Sequence, residues 1–182
     1  MKRHSLWMLC ETPHVKFDQV FRKLGYFDEE KIANKNLSRR GQSFSTTRAV
    51  CRMKETEIEE EDDIERYEDN KKIATFSDGV GRISFELAQE CAHAWNYRFM
   101  SAFQIRCGGA KGVLALDLRL PQDERKIVLR GSMIKFKSIN PWLEVIRCAT
   151  YSPGLLNRQV IILLNTLGVP EKVFMDILKK EV

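Results

Sequence analysis

Residues 102–118 limit the architectures open to this chain more than any other stretch, because their hydrophobic pattern runs, breaks and resumes within seventeen positions. Phe103, Ile105 and Cys107 alternate with Gln104 and Arg106, the period of a strand buried on one face. The run Gly108-Gly109-Ala110-Lys111-Gly112 interrupts the alternation, and residues 113–118 (VLALDL) resume an extended pattern. Two readings of the glycine run are open. It is a hairpin or bulge that exposes a lysine, or its backbone amides approach a phosphate closely while Lys111 supplies charge. It is not a Walker A loop: the G-x-x-x-x-G-K spacing is absent, and Gly112 stands where a magnesium-binding Ser or Thr would follow the lysine.

Around this unit the chain reads as α+β. Further strands are expected over 47–53, 73–76, 126–130 and 143–149, with a helix over 85–95 (FELAQECAHAW) that Ser84 caps. Residues 13–32 place Val15, Phe17, Val20, Phe21 and Leu24 at helical spacing and break at Gly25, while 38–46, with Arg39 and Arg40 beside a Gly, Ser and Thr cluster, reads as a basic loop. The C-terminal end is helical: Ser152-Pro153-Gly154 opens a helix over 154–167, Gly168 closes it, and Pro170 opens a second through Lys180. The expected organisation is a helix-turn and basic loop over 1–53, an acidic linker or exposed hairpin over 54–72, a mixed β core over 73–150 and a helical tail over 151–182.

Charge is divided unevenly. Residues 54–69 hold ten acids against Lys54 and Arg66, a local −8 that leaves +13 on the rest of a chain whose net charge is +5. Either a solvated acidic loop sits on a slightly basic domain, or an acidic linker separates basic pieces that face a polyanion. The five cysteines are odd in number and form no C-x-x-C pair, which supports neither a disulfide framework nor a zinc knuckle. In Cys91-Ala92-His93 the thiol and imidazole would point to different faces of a helix, so a buried thiol beside a partly exposed imidazole is the expectation. The short apolar stretch near Met1 is too weak for a signal peptide, and no apolar run of membrane-spanning length occurs, so an intracellular protein, cytoplasmic or nuclear, is expected, with no membrane partner.

Hydrolase chemistry finds no support: there is no G-x-S-x-G elbow and no H-E-x-x-H pair. Glu61-Asp62-Asp63 is consecutive, so its side chains would not converge on a metal. Residues 76–84 (FSDGVGRIS) loosely resemble a phosphate loop, with two glycines, Arg82 and a helix start, although a lone G-x-G is weak evidence and a plain strand-turn-helix connection accounts for them better. Arg106, Arg119, Arg125, Lys126, Arg130, Lys135, Lys137 and Arg147 interleave with Tyr97, Phe99, Phe103, Phe136 and Trp142, a mixture able to hold phosphates and stack bases.

Several separate motifs, in order, resemble the cellular, eukaryotic RNA-dependent RNA polymerases of RNA silencing. They are 40–47 (RGQSFSTT), 76–84 (FSDGVGRIS), 102–106 (AFQIR), 108–112 (GGAKG), 129–130 (LR), 132–136 (SMIKF) and 156–159 (LNRQ). The resemblance covers about residues 38–170. It implies a double-psi β-barrel-like core, the first of two such barrels, with the magnesium-binding D-x-D-G-D loop in the second and outside this chain. It implies that the chain is a fragment, inactive alone, of an enzyme that copies single-stranded RNA into double-stranded RNA from nucleoside triphosphates. Expected partners are the template, the nucleotides, the rest of the polymerase and silencing-pathway proteins. By the same resemblance Lys111 contacts phosphate near the active centre; Arg82, Arg106, Gly108, Gly109, Gly112, Arg130, Lys135 and Arg158 are further candidate RNA- or nucleotide-binding positions, and no metal ligand is assigned to this chain. The alternatives are a non-catalytic RNA-binding module derived from such an enzyme, and an interaction protein whose β core only packs on a partner.

Overall fold

The computed structural model describes residues 8–151, 154 and 156–181. The chain divides into two compact units, residues 1–149 and 150–182. In the first, α1 (Phe17–Leu24) and α2 (Ala33–Gly41) precede β1 (Arg48–Arg52), β2 (Ile58–Glu61), the pair β3 (Glu65–Glu68) and β4 (Lys71–Thr75), and β5 (Val80–Ile83). After α3 (Phe85–Ala94) come β6 (Ala102–Cys107), β7 (Ala110–Leu116), β8 (Ile127–Arg130) and β9 (Trp142–Cys148).

Seven strands form one mixed sheet in the order β1-β9-β6-β7-β5-β8-β2. β5 runs parallel to β7 and β2 parallel to β8, while the other pairings are antiparallel. The α+β class, the mixed sheet, the helix inserted between strands and the helical tail are thus all present. Alternation decides which face is buried: Phe103, Ile105, Leu114, Leu143 and Val145 have no solvent exposure, and α3 closes over them with Leu87, Ala88, Cys91 and Ala92. β8 has all four residues buried, as a strand flanked on both edges and covered on both faces must.

Several elements depart from the sequence reading, among them β5, which forms where a loop is expected. The basic stretch 38–46 opens as the last turns of α2, where Asn36 Nδ2 donates to the carbonyls of Phe27 and Glu30 at 2.9 and 3.0 Å and Arg40 packs over the Phe21 and Phe27 rings. The acidic segment 54–72 is neither a single linker nor only a hairpin. Its first half contributes β2 to the main sheet, and only β3 and β4 form a separate hairpin, turning at Asp69 and Asn70, both with positive φ. A strand spelled Ile-Glu-Glu-Glu has poor intrinsic propensity, and tertiary pairing overrides it. Ile58 packs on the core, Glu59 Oε2 meets Lys126 Nζ at 2.7 Å, and Glu61 pairs with Arg82 and Arg130. Acids on this edge strand also discourage pairing with another chain.

In the second unit α4 (Arg158–Thr166) is capped by Asn157, whose Oδ1 accepts from Val160 N at 3.0 Å, and α5 (Glu171–Glu181) follows Pro170. Gly168 takes φ +95 just beyond α4, as expected of a C-terminal cap. The helix expected over 154–167 starts later, at Arg158, because Asn157 supplies the cap and Gly154 and Leu156 stay outside it; Ser152, Pro153 and residues 1–7 lie outside the described residues.

Candidate nucleic-acid interface

The glycine run is a hairpin. Cys107 pairs with Ala110 at the end of β6 and β7, leaving Gly108 and Gly109 as a two-residue loop, with Gly108 at φ +55. The other two glycines face the protein's own backbone. A Cβ on Gly109 would lie 1.5 Å from the Phe136 carbonyl oxygen, and one on Gly112 would lie 2.3 Å from the Gly79 carbonyl oxygen. These glycines let strands and loops approach, so backbone packing by itself accounts for the missing side chains at Gly109 and Gly112.

Lys111 keeps its place. The register sets it directly across from Arg106, with Gln104 and Val113 the next pair on the same face, opposite to buried Phe103 and Leu114. Lys135 N donates to the Gly109 carbonyl at 3.0 Å, which brings the segment after β8 alongside the hairpin. Together Asp78, Gly79, Gln104, Arg106, Lys111, Gly112, Val113 and Lys135 line an open cleft of about 310 Å³. Lys111 has no hydrogen bond or ion pair among the described residues. Burial pushes its pKa down, and the charges of Arg106 and Lys135 push it further the same way. Burial likewise depresses Arg106, which Glu144 on β9 partly offsets. Arg106 Nε is buried without a hydrogen-bond partner, and its other nitrogens reach only the Ile105 carbonyl at 3.1 Å and Ser45 Oγ at 3.4 Å. Like charges placed side by side cost energy that an anion between them would recover.

Asp63, which the sequence reading passed over as part of an acidic run, holds the rim of this cleft. Its Oδ1 accepts from Ser77 Oγ at 2.8 Å and Ser132 Oγ at 2.7 Å, and its Oδ2 from Ser132 N at 2.7 Å. Ser132 Oγ in turn accepts from Gly79 N at 2.9 Å, and Lys135 Nζ donates to the Ser132 carbonyl. Burial raises the Asp63 pKa, but the hydrogen bonds from Ser132 and Ser77 outweigh it and leave the carboxylate below its ordinary value. One carboxylate therefore ties the end of the acidic segment to both loops that flank Lys111. The signal for it was present in sequence only as serines inside the motifs at 76–84 and 132–136.

Other candidates are engaged elsewhere. Arg82 lies inside β5, not in a loop, and is clamped between Glu61 and Asp117, whose Oδ2 is 3.1 Å away. Arg119 hydrogen bonds, and then those of Arg82, hold the Asp117 carboxyl far below the usual range. Arg130 is buried, donates to the Asp62 carbonyl at 2.5 Å and faces Glu61 at 3.6 Å, so it braces β8 against β2. Ser84 is fully buried and makes no side-chain cap; its Oγ accepts from Lys126 N at 3.0 Å and links α3 to β8. Phe103 is core and unavailable for stacking. Arg158 is the first residue of α4 in the second unit. The −8 segment is also partly consumed, because Glu57, Glu59, Glu61 and Glu65 each pair with a Lys or Arg. That pairing removes Lys72, Arg82, Arg125 and Lys126 from the +13, and on the strands of the large sheet Arg52, Lys111 and Arg147 have no side-chain hydrogen bond or ion pair among the described residues.

Four buried cysteines, Cys51, Cys91, Cys107 and Cys148, are free thiols, and burial pushes Cys51 up to about 11 and Cys107 up to about 12. His93 is exposed on the other side of α3 from Cys91. Among the described residues no group of three or more His, Cys, Asp or Glu side chains could hold a metal ion, and no helix is long and apolar enough to cross a membrane.

Comparison with known proteins identifies the family of the chain. The family model described as RNA dependent RNA polymerase matches residues 1–182. The probable RNA-dependent RNA polymerase 1 of Oryza sativa subsp. japonica is 40% identical over 176 residues, covering 96% of this chain and 23% of that protein. RNA-dependent RNA polymerase 1 of Arabidopsis thaliana is 39% identical over 176 residues, covering 96% of this chain and 16% of its own length. Among solved structures, the RNA dependent RNA polymerase QDE-1 from Thielavia terrestris matches with a TM-score of 0.63 at 26% identity, over 72% of this chain and 15% of that one. The chain thus spans less than a quarter of the length of these relatives. Matched along its whole length by that model, and similar to a solved polymerase over 72% of its residues, the chain belongs to the RNA-dependent RNA polymerase family.

Proposed function

We infer that this chain is the phosphate-holding part of an RNA-directed RNA polymerase that makes double-stranded RNA from a single-stranded template in RNA silencing. The observation that carries the reading is the cleft in which Arg106, Lys111 and Lys135 converge while Lys111 has no carboxylate partner. A phosphate of RNA or of an incoming nucleoside triphosphate entering this cleft relieves the repulsion between the three cations, and the partial burial of Lys111 strengthens its attraction. Lys111 and Arg106 bind from the strands, which fixes their spacing. Lys135 binds from the adjoining loop, which Asp63 and Ser132 hold in place. The core is proposed to be the first double-psi barrel of the enzyme. Magnesium would be held by carboxylates on a D-x-D-G-D loop outside this chain; the residues described here do not fit that metal, and no step of bond making is assigned to them. On this reading the chain alone binds RNA but does not polymerise, and it works inside the cell with the rest of the polymerase and silencing proteins.

Affinity for a single-stranded RNA oligonucleotide, measured against salt, tests the reading. Three phosphate contacts give a slope of log affinity on log salt of about −2, at roughly 0.7 per contact for single strands. A flat dependence overturns it.

A further inference from the structure

Beside the cationic cleft lies a second recess that shares Arg106 and differs in character. It has a volume of about 180 Å³ and is lined by Lys23, Leu24, Gln42, Ser43, Arg106, Gly108, Phe136, Asn140, Trp142 and Glu144. Gln42 is 9% exposed, and its side-chain amide makes no hydrogen bond among the described residues and is reached by solvent. Arg106, which also lines the recess, has its Nε buried without a partner. Glu144 Oε2 accepts from Thr47 Oγ1 at 2.7 Å, which leaves its other oxygen available, and the Asn140 Oδ1 accepts from Trp142 N at 3.2 Å, which leaves its amide nitrogen unspent. Trp142 is 43% exposed.

A phosphate does not suit this recess, because it would meet the Glu144 carboxylate. A ligand that does suit it carries donors and acceptors on one edge and an aromatic face on the other. We propose that the recess is a nucleobase site, in which Trp142 stacks on one base of a single-stranded RNA and Gln42, with Arg106, hydrogen-bonds that base's edge. Since Arg106 borders both cavities, a strand whose phosphate lies against Lys111 has a neighbouring base within reach of Gln42. The proposal rests on the phosphate reading above for the identity of the strand, and it makes a separate demand. Leaving a buried donor such as Arg106 Nε unpaired is costly, and an acceptor on a base edge would satisfy it while the Gln42 amide exchanges its water for the same edge.

The test uses the whole 182-residue chain and two probes of equal phosphate count, a ten-nucleotide oligouridylate and its abasic counterpart. The expected result is a preference of roughly tenfold for the base-bearing strand, in line with base–aromatic stacking. Trp142→Ala and Gln42→Ala each reduce that preference severalfold without altering the salt slope, and Trp142→Phe, which keeps an aromatic face, retains most of it. Lys111→Ala does the reverse, lowering the slope while preserving the preference. Equal binding of the two probes by the unaltered chain overturns the base site, as does a preference that survives the Trp142→Ala, Gln42→Ala double variant with an unchanged circular dichroism spectrum. A missing slope with an intact preference overturns the phosphate reading and leaves the base site standing.

Discussion

Gly109→Ala separates a packing role for the glycine run from a phosphate-cradling one. The added Cβ would sit 1.5 Å from the Phe136 carbonyl oxygen and 2.5 Å from its carbonyl carbon, whereas ordinary contact begins near 3.4 Å. The backbone at Phe136 would have to retreat by about 2 Å. That backbone is not free to move: Lys135 N is hydrogen-bonded to the Gly109 carbonyl, Lys137 pairs with Tyr26, and the Phe136 ring packs on Phe27 at 4.6 Å. Overpacking against mobile side chains costs about 1–3 kcal/mol, so displacement of a pinned backbone costs at least about 3 kcal/mol. This is a large share of the roughly 5–15 kcal/mol that holds a domain folded. Urea unfolding of the unaltered chain, Gly109→Ala and Gly41→Ala measures it. Gly41 ends α2 with nothing within 4 Å of a built Cβ, so alanine there is neutral or slightly stabilising. An unfolding midpoint for Gly109→Ala equal to that of the unaltered chain, combined with lost RNA affinity, would refute the packing account and restore the phosphate loop.

Three further outcomes follow from the same contacts. Asp63→Asn should lower stability at neutral pH by about 1–2 kcal/mol, because a carboxylate accepting three hydrogen bonds becomes an amide. The Asp63 pKa lies below its ordinary value in the folded state, so its contribution is present above about pH 4 and fades as pH falls through the folded-state value; the gap between the two proteins should close in acid, and a gap constant to pH 3 contradicts the network. Arg130→Met should cost about 3 kcal/mol by leaving Glu61 and the Asp62 carbonyl without this partner, with the salt dependence of RNA binding unchanged, as read by chemical denaturation and filter binding. Of the four buried cysteines none should react with a thiol reagent at pH 8 on the timescale of exposed Cys10, because burial keeps their thiols protonated and covered; rapid labelling of Cys91 or Cys107 would contradict the packing of α3 on the sheet.

Local signals in the sequence carried much of the fold. The alternation in β6 predicted both its limits and its buried face, and Pro170 with Gly168 marked the break between the terminal helices. The same logic failed where tertiary pairing outweighed composition. β2 is four residues of which three are glutamates, and only its partners Ile127–Arg130 and the cations along Lys126, Arg82 and Arg130 make it a strand. α2 was read as a loop at its C-terminal end because Ser, Arg and Gly dominate there, while the contacts that hold it come from Phe21 and Phe27, many residues earlier. At the site, a lysine in a glycine hairpin was visible from spacing. That Arg106 stands across from it required the register, and that Arg82 and Arg130 are internally paired required knowing where the acids went. Asp63 was hidden because charge density alone does not say which member of a run turns inward.

On the proposed function Lys111 faces an RNA phosphate and Arg82, held by Glu61 and Asp117, does not. The salt dependence of single-stranded RNA binding by Lys111→Gln and Arg82→Gln, measured side by side, tests it most directly. One lost phosphate contact lowers the magnitude of the slope by about 0.7. The account predicts that loss for Lys111→Gln and an unchanged slope for Arg82→Gln; an unchanged slope for Lys111→Gln, or an equal loss in both, would contradict it.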